Sequence, residues 1–242
     1  MVAWDAVSLI FSNLDRWRHF PNYQLERRVD VLFSVYLKGL LEDFTGRPMM
    51  DIILPEFPIR RDLVCATQPS GLSIKVDYVL FSQDRQAVYF VELKTDQSSR
   101  RTAQDKCLEA AKRVGFAEIL RGLVTIVCKT DSSHKYYHLL YWLSRAGFLG
   151  LPLDIEDYLY PVARRGLASR LNSIKLPQIN PPIRVVYIMP HATPGLDCID
   201  FGQVVSYLNG LDDDFARLFA ASLSRWRETP VGTIAPGTVS IG

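Results

Sequence analysis

Asp77, Glu92 and Lys94 interrupt the two apolar runs of "VDYVLFSQDRQAVYFVELKTD", Val76 to Asp96, which read as two strands around a polar tip. A turn centred between Asp84 and Arg85 pairs residues whose numbers sum to 169, so that Ser82 meets Ala87, Leu80 meets Tyr89 and Asp77 meets Glu92. Side chains directly opposite each other on one sheet face lie about 4.5–5.5 Å apart at Cβ, and like charges there are destabilising. Strand alternation puts Lys94 on the face of Glu92, diagonal to Asp77. Such a lysine balances one carboxylate as a structural ion pair. Two hard-oxygen ligands are equally the minimum set for Mg²⁺, which takes one or two carboxylates together with waters and substrate phosphate.

The elements that must carry these residues follow from hydrophobic periodicity. "YQLERRVDVLFSVYLKGLLEDF", Tyr23 to Phe44, places Leu25, Val29, Leu32, Phe33, Tyr36, Leu37, Leu40 and Leu41 at helical spacing. "MDIILPEFPI" is a first strand that Pro55 is expected to break, with further strands near Leu72 to Phe81 and Ala87 to Leu93. Ser98 or Ser99 caps a helix through "RRTAQDKCLEAAKRVGFAEIL", and "LVTIVCK" is either a strand or the buried continuation of that helix. "KYYHLLYWLSRAGFL", "IEDYLYPVARRGLASRLNSI" and "DDFARLFAASLSRW" read as helices, "IRVVYIMP" and "LDCIDF" as strands. This order predicts an α/β fold, a mixed central sheet flanked by helices, in one domain over 1–228 with a helical insertion at about 131–182 and a flexible tail over 229–242.

An Asp in one strand followed by Glu-x-Lys at the end of the next, here Asp77 and Glu92-Leu93-Lys94, resembles the PD-(D/E)XK nuclease superfamily over roughly Gln24 to Leu120. The chain departs from the pattern at Val76, where many members carry proline. The resemblance implies a restriction-endonuclease-like core and metal-dependent hydrolysis of phosphodiester bonds, with DNA ahead of RNA as substrate. It implies that Asp77, Glu92 and the Leu93 carbonyl hold Mg²⁺ or Mn²⁺, and that Lys94 orients or deprotonates the attacking water. It also implies an acid from the first helix, with Glu26 as the candidate and Asp30, one turn later, as its rival. Gln104 matches a glutamine of the RecB-like branch, although Leu108 stands where that branch has a tyrosine. Convergence of Asp77, Glu92 and Lys94 in one cleft, within reach of the first helix, is therefore expected.

Each feature has a plainer reading. The acids and lysine fit a solvated strand face, Glu26 a charged helix edge with Arg27 and Arg28, and Gln104 a surface or cap-proximal position. The basic residues of "RWRHF", Arg100, Arg101, Lys112, Arg113, Arg164, Arg165 and Arg170 are either phosphate contacts or ordinary solvated charge. His134 and His138 share a helix face at zinc-ligand spacing but lack the HExxH glutamate and read as surface residues. The insertion's aromatics, Tyr136, Tyr137, Tyr141, Trp142, Tyr158 and Tyr160, read as core, with a base-stacking platform or a homodimer surface as alternatives.

Composition sets outer limits. With 242 residues, 48% of them hydrophobic, the chain has ample core for a globular fold, and its net charge of +2 implies no polyanion partner unless charge clusters locally. No run approaches the roughly 18 apolar residues of a membrane span, and the N-terminal apolar stretch lacks a leader's basic region and cleavage site. Cys65, Cys107, Cys128 and Cys198 form no CxxC pair, so neither a zinc knuckle, an iron–sulfur cluster nor a disulfide framework is expected, and a reducing cytoplasm is the default compartment. Beside the nuclease stand two other classes. One is a catalytically silent member of the same fold that binds nucleic acid or assembles with protein; the other is an unrelated α/β protein with a chance Glu-x-Lys.

Overall fold

The computed structural model describes residues 2–65, 73–96, 100–130, 133–152, 173–176 and 179–229. In chain order the elements are helix α1 (Val2–Trp17), α2 (Glu26–Thr45), strand β1 (Met49–Arg60), the short α3 (Arg61–Val64), β2 (Ser73–Ser82), β3 (Val88–Leu93), α4 (Thr102–Val114), α5 (Phe116–Lys129), a 3₁₀ turn (Ser133–Tyr136), α6 (Tyr137–Arg145), β4 (Ile183–Met189), β5 (Asp197–Asp200), α7 (Phe201–Asn209) and α8 (Asp214–Glu228). The five strands form one sheet in the order β1-β2-β3-β4-β5. The pairs β1/β2 and β2/β3 are antiparallel and β4/β5 is parallel. The bonds Val88 N–H to the Pro182 carbonyl and Lys94 N–H to the Ile188 carbonyl advance in the same sense along both strands, so β3 and β4 also run parallel. The protein is thus α/β, with a mixed sheet flanked by helices, as its sequence predicts. No helix among the described residues is long and apolar enough to cross a membrane.

By packing, the chain divides into two compact units, Met1–Gly46 with Leu93–Arg100 and Val186–Gly242, and Arg47–Glu92 with Arg101–Val185. In the first, α2 buries Val29, Phe33, Tyr36, Leu37, Leu40 and Leu41, the stripe read from the sequence, and ends at Gly46, whose φ of 67° lets its N–H reach the Glu42 carbonyl. Its aromatic core sets Phe33 against Phe219 at 4.9 Å and Phe11 against Phe215 at 5.3 Å. Helix α7 starts on a capping box, in which Asp200 accepts from Gln203 N–H and Gln203 accepts from Asp200 N–H, each at 2.9 Å.

The second unit holds the meander. Strand β1 runs unbroken through Pro55, contrary to expectation. It is the sheet's edge strand, where a missing N–H is tolerated, and the irregularity falls elsewhere, between Met49 and Ile53 and at Glu56, whose φ is 51°. "VYFVEL" is buried along its whole length in the central β3. Phe81, Phe116 and Phe148 pack as a cluster, with ring centroids 4.6–5.8 Å apart. "LVTIVCK" lies in α5 and not in a strand; Gly115, with φ of 85°, separates α5 from α4, and Asn180 accepts from Ala117 N–H at 2.9 Å at the new helix's start.

Two further corrections concern the cysteines and the insertion. Cys65 and Cys107 are disulfide-bonded with Cα atoms 5.5 Å apart, although 42 positions separate them and no spacing motif announced the pair. Within the insertion Tyr137 is core, but Trp142 is 44% exposed, because only one face of the nine-residue α6 is covered. The expected helix over 155–174 as far as residue 172, with Tyr158, Tyr160, Arg164, Arg165 and Arg170, the expected capping residues Ser98 and Ser99, and the tail from 230 lie outside the described residues, as does the side chain of His134. His138 is exposed, as read.

Candidate functional site

The β2–β3 hairpin has the register its sequence predicts. Leu80 pairs with Tyr89 and Tyr78 with Val91, so the next step along the ladder sets Asp77 across from Glu92. The turn enforces this register through Ser82, whose hydroxyl accepts from the N–H groups of Gln86 and Ala87, and through Asp84, which accepts from Gln86 N–H at 2.9 Å. Asp77 is half-buried; Glu92 is wholly buried. A buried carboxyl group needs hydrogen bonds, and Gln104, in the first turn of α4, donates one from Nε2 to Glu92 Oε2 at 2.7 Å. The side chain read as either branch-specific or incidental is therefore directed at the buried acid.

Lys94 follows β3 and is 5% exposed. Its ammonium donates to the Leu93 carbonyl at 2.9 Å and lies 3.5 Å from Glu26 Oε1. Glu26 occupies the first turn of α2, where the helix dipole favours negative charge. Of the two acids weighed from the first helix, Glu26 is the one beside this lysine, whereas the Asp30 carboxylate accepts from the following N–H, that of Val31.

Hard oxygen donors are the right chemistry for Mg²⁺ or Mn²⁺. Among the described residues, however, no three or more His, Cys, Asp or Glu side chains gather as a metal site. A site of two carboxylates, as expected of Asp77 and Glu92, would need waters and a substrate phosphate to complete it. The Leu93 carbonyl, the third expected ligand, carries the Lys94 ammonium on one lone pair.

The basic residues are not equivalent. Arg100 is half-buried with its guanidinium 5.8 Å from the Tyr187 ring centroid, and Arg101 is exposed beside the start of α4. Lys112 and Arg113 lie in the last turn of α4, about 12 Å along the axis from Gln104 at ~1.5 Å per residue, and Lys112 is paired with Glu109 at 2.6 Å. Arg18 of "RWRHF" fits neither of its two readings. It is 2% exposed, 5.9 Å from the Trp226 ring centroid, and donates to the Trp226 carbonyl at 3.4 Å; burial pushes its guanidinium below the usual range, against the pull of Asp96 and Asp15. Burial, then Arg18's charge, also holds the His19 imidazole below its ordinary range. A second pair was missed: the Tyr36 hydroxyl donates to Asp213 at 2.6 Å, and Asp213 caps α8 by accepting from Phe215 N–H. Its sequence signal was an Asp one residue before an apolar helical run. Comparison with known protein families, with curated proteins and with solved structures found no match for this chain.

Proposed function

We propose that the chain is a metal-dependent nuclease that hydrolyses phosphodiester bonds, DNA in preference to RNA, in a restriction, repair or defence role. The observation that supports this reading is the hairpin register, whose continuation from Tyr78–Val91 would set Asp77 opposite the buried Glu92, together with the bond from Gln104 to Glu92 and the Glu-x-Lys lysine two residues further on. Asp77 and Glu92 would hold Mg²⁺ or Mn²⁺, which when bound supplies Lewis acidity to the phosphate and a lowered pKa to water. Gln104 fixes the Glu92 carboxylate by donating to Oε2. Lys94 would orient the attacking water or offset charge on the phosphorane, with Glu26 Oε1 3.5 Å from its ammonium. No covalent enzyme intermediate forms.

A second reading, a catalytically silent module of similar architecture that binds nucleic acid or protein, is favoured by the engagement of Lys94 with Glu26 and the Leu93 carbonyl and by the lack of a three-ligand group among the described residues. Thermal melts of wild type and Asp77→Asn, with and without Mn²⁺, discriminate. In the nuclease reading Mn²⁺ raises the wild-type melting temperature and not the mutant's, the metal-free mutant is at least as stable because a facing acid pair is relieved, and chelator abolishes cleavage. Absence of any metal effect on the wild type, with no cleavage of DNA or RNA, sinks the nuclease reading in favour of the silent module.

A further inference from the structure

The disulfide that the sequence did not announce is anchored on the helix that carries Gln104. Cys65 caps the C-terminus of α3, and Cys107 lies in the second turn of α4. Gln104 precedes Cys107 by three residues on the same helix, which sets the two side chains about 60° apart around the axis and ~4.5 Å apart along it. The side chains at the start of α4 are little buried. Thr102, Ala103 and Lys106 are exposed, Gln104 and Asp105 half-buried, Arg101 makes no side-chain cap bond, and the first buried residue is Leu108. Yet this turn carries the bond to the wholly buried Glu92.

We infer that the Cys65–Cys107 disulfide is a redox latch that holds Gln104 on Glu92, so that its reduction frees the first turns of α4 and loosens the buried carboxylate. Both cysteines are half-buried and so open to a thiolate. The reductant is a dithiol, a small molecule or a protein. One thiolate attacks a sulfur of the bridge, the mixed disulfide resolves, and the bridge takes up two electrons and two protons to give two thiols while the dithiol closes to its own disulfide. Among the described residues Cys128 and Cys198 are free, and burial raises both thiols above their ordinary range, which keeps them protonated and slow to exchange. Chemistry is thereby directed to the bridged pair. The effect on turnover rests on the nuclease reading; the hold on Gln104 does not.

Exchange of the Gln104 side-chain amide protons, followed by NMR on the ¹⁵N-labelled full chain, separates the two. In the oxidised protein they should exchange more slowly than those of Gln83 and Gln86, which are exposed in the hairpin turn. Dithiothreitol, or Cys107→Ser, should speed Gln104 exchange tenfold or more while the backbone amides of β2 and β3 keep their protection. Should Cys107→Ser fail to fold, reversible reduction of the wild type and Cys65→Ala give the same readout. Unchanged Gln104 protection after reduction overturns the latch, as does finding four titratable thiols in the denatured, unreduced chain. Mn²⁺-dependent cleavage is measured in parallel and should lose about tenfold in kcat on reduction with KM unchanged. Loss of protection without cleavage in either state supports the latch and overturns the nuclease reading; cleavage unaffected by reduction despite lost protection overturns the control of turnover.

Discussion

Glu92 is 0% exposed in the central strand and accepts a hydrogen bond from Gln104, a bond worth about 1.5–3 kcal/mol to an ionised acceptor. Gln104→Leu should therefore cost about 2 kcal/mol in urea unfolding at pH 7, since it leaves a buried acid short of a donor. Gln104→Glu should cost more at pH 7, and its deficit should shrink as the pH is lowered and one of the two acids takes a proton. A Gln104→Leu midpoint equal to wild type would mean that the bond contributes nothing. The Asp77–Glu92 register was legible because a turn centred on Asp84 and Arg85 fixes every pairing behind it. Arg18 was not legible, because nothing in "RWRHF" distinguishes the exposed Arg16 from the arginine that Trp226 covers from more than 200 residues away. The partner of Cys65 was hidden for the same reason, since bridging requires a Cα separation that only the tertiary fold sets.

At the scale of elements, legibility followed periodicity and failed where two patterns competed. Helix α2 declared itself through buried positions spaced by three and four, as did β3 through an unbroken apolar run. "LVTIVCK" is rich in β-branched residues, and the helix won because Phe116, Ile119, Leu120, Leu123 and Val127 share one buried face. Helix α7 was lost in "LDCIDF", whose last Asp both ends β5 and caps the helix with Gln203. The joint between α2 and α8 is held by Tyr36 and Asp213, and its pH dependence has two arms. The hydrogen bond from Tyr36, followed by backbone N–H groups, depresses the Asp213 carboxyl, so its stabilisation is complete above the unfolded value of about 3.9 and is lost as the pH falls through the folded one. Burial, then the bond to Asp213, raises the Tyr36 phenol, so its share is complete below the unfolded value of about 10 and is lost as the pH rises toward the folded one. Urea midpoints of wild type and Tyr36→Phe should differ most near neutrality, by the equivalent of about 1–2 kcal/mol, and converge at both extremes. A difference constant from pH 3 to 11 would show that the bond contributes nothing.

For the whole molecule, the balance of charge bears on how it would meet the polyanion of the proposed function. A net charge of +2 over 242 residues supplies no general field, so affinity for nucleic acid must come from a few placed cations. Arg101 is exposed at the Gln104 end of α4, Arg100 is half-buried against Tyr187, and Lys112 is paired with Glu109 at the far end with Arg113. If the proposed nuclease reading holds and Arg100 and Arg101 each meet a phosphate, each contact releases about 0.9 counterion on duplex DNA. The logarithm of the association constant should then fall against that of salt with a slope of about −2, in Ca²⁺ to prevent cleavage. Arg101→Ala should flatten the slope by about 0.9, and Lys112→Ala should change it less, because its ammonium already has a carboxylate partner. A slope steeper than about −5, unchanged in Arg100→Ala and Arg101→Ala, would show that the phosphates lie on another surface, with Arg164, Arg165 and Arg170 the next cations to replace.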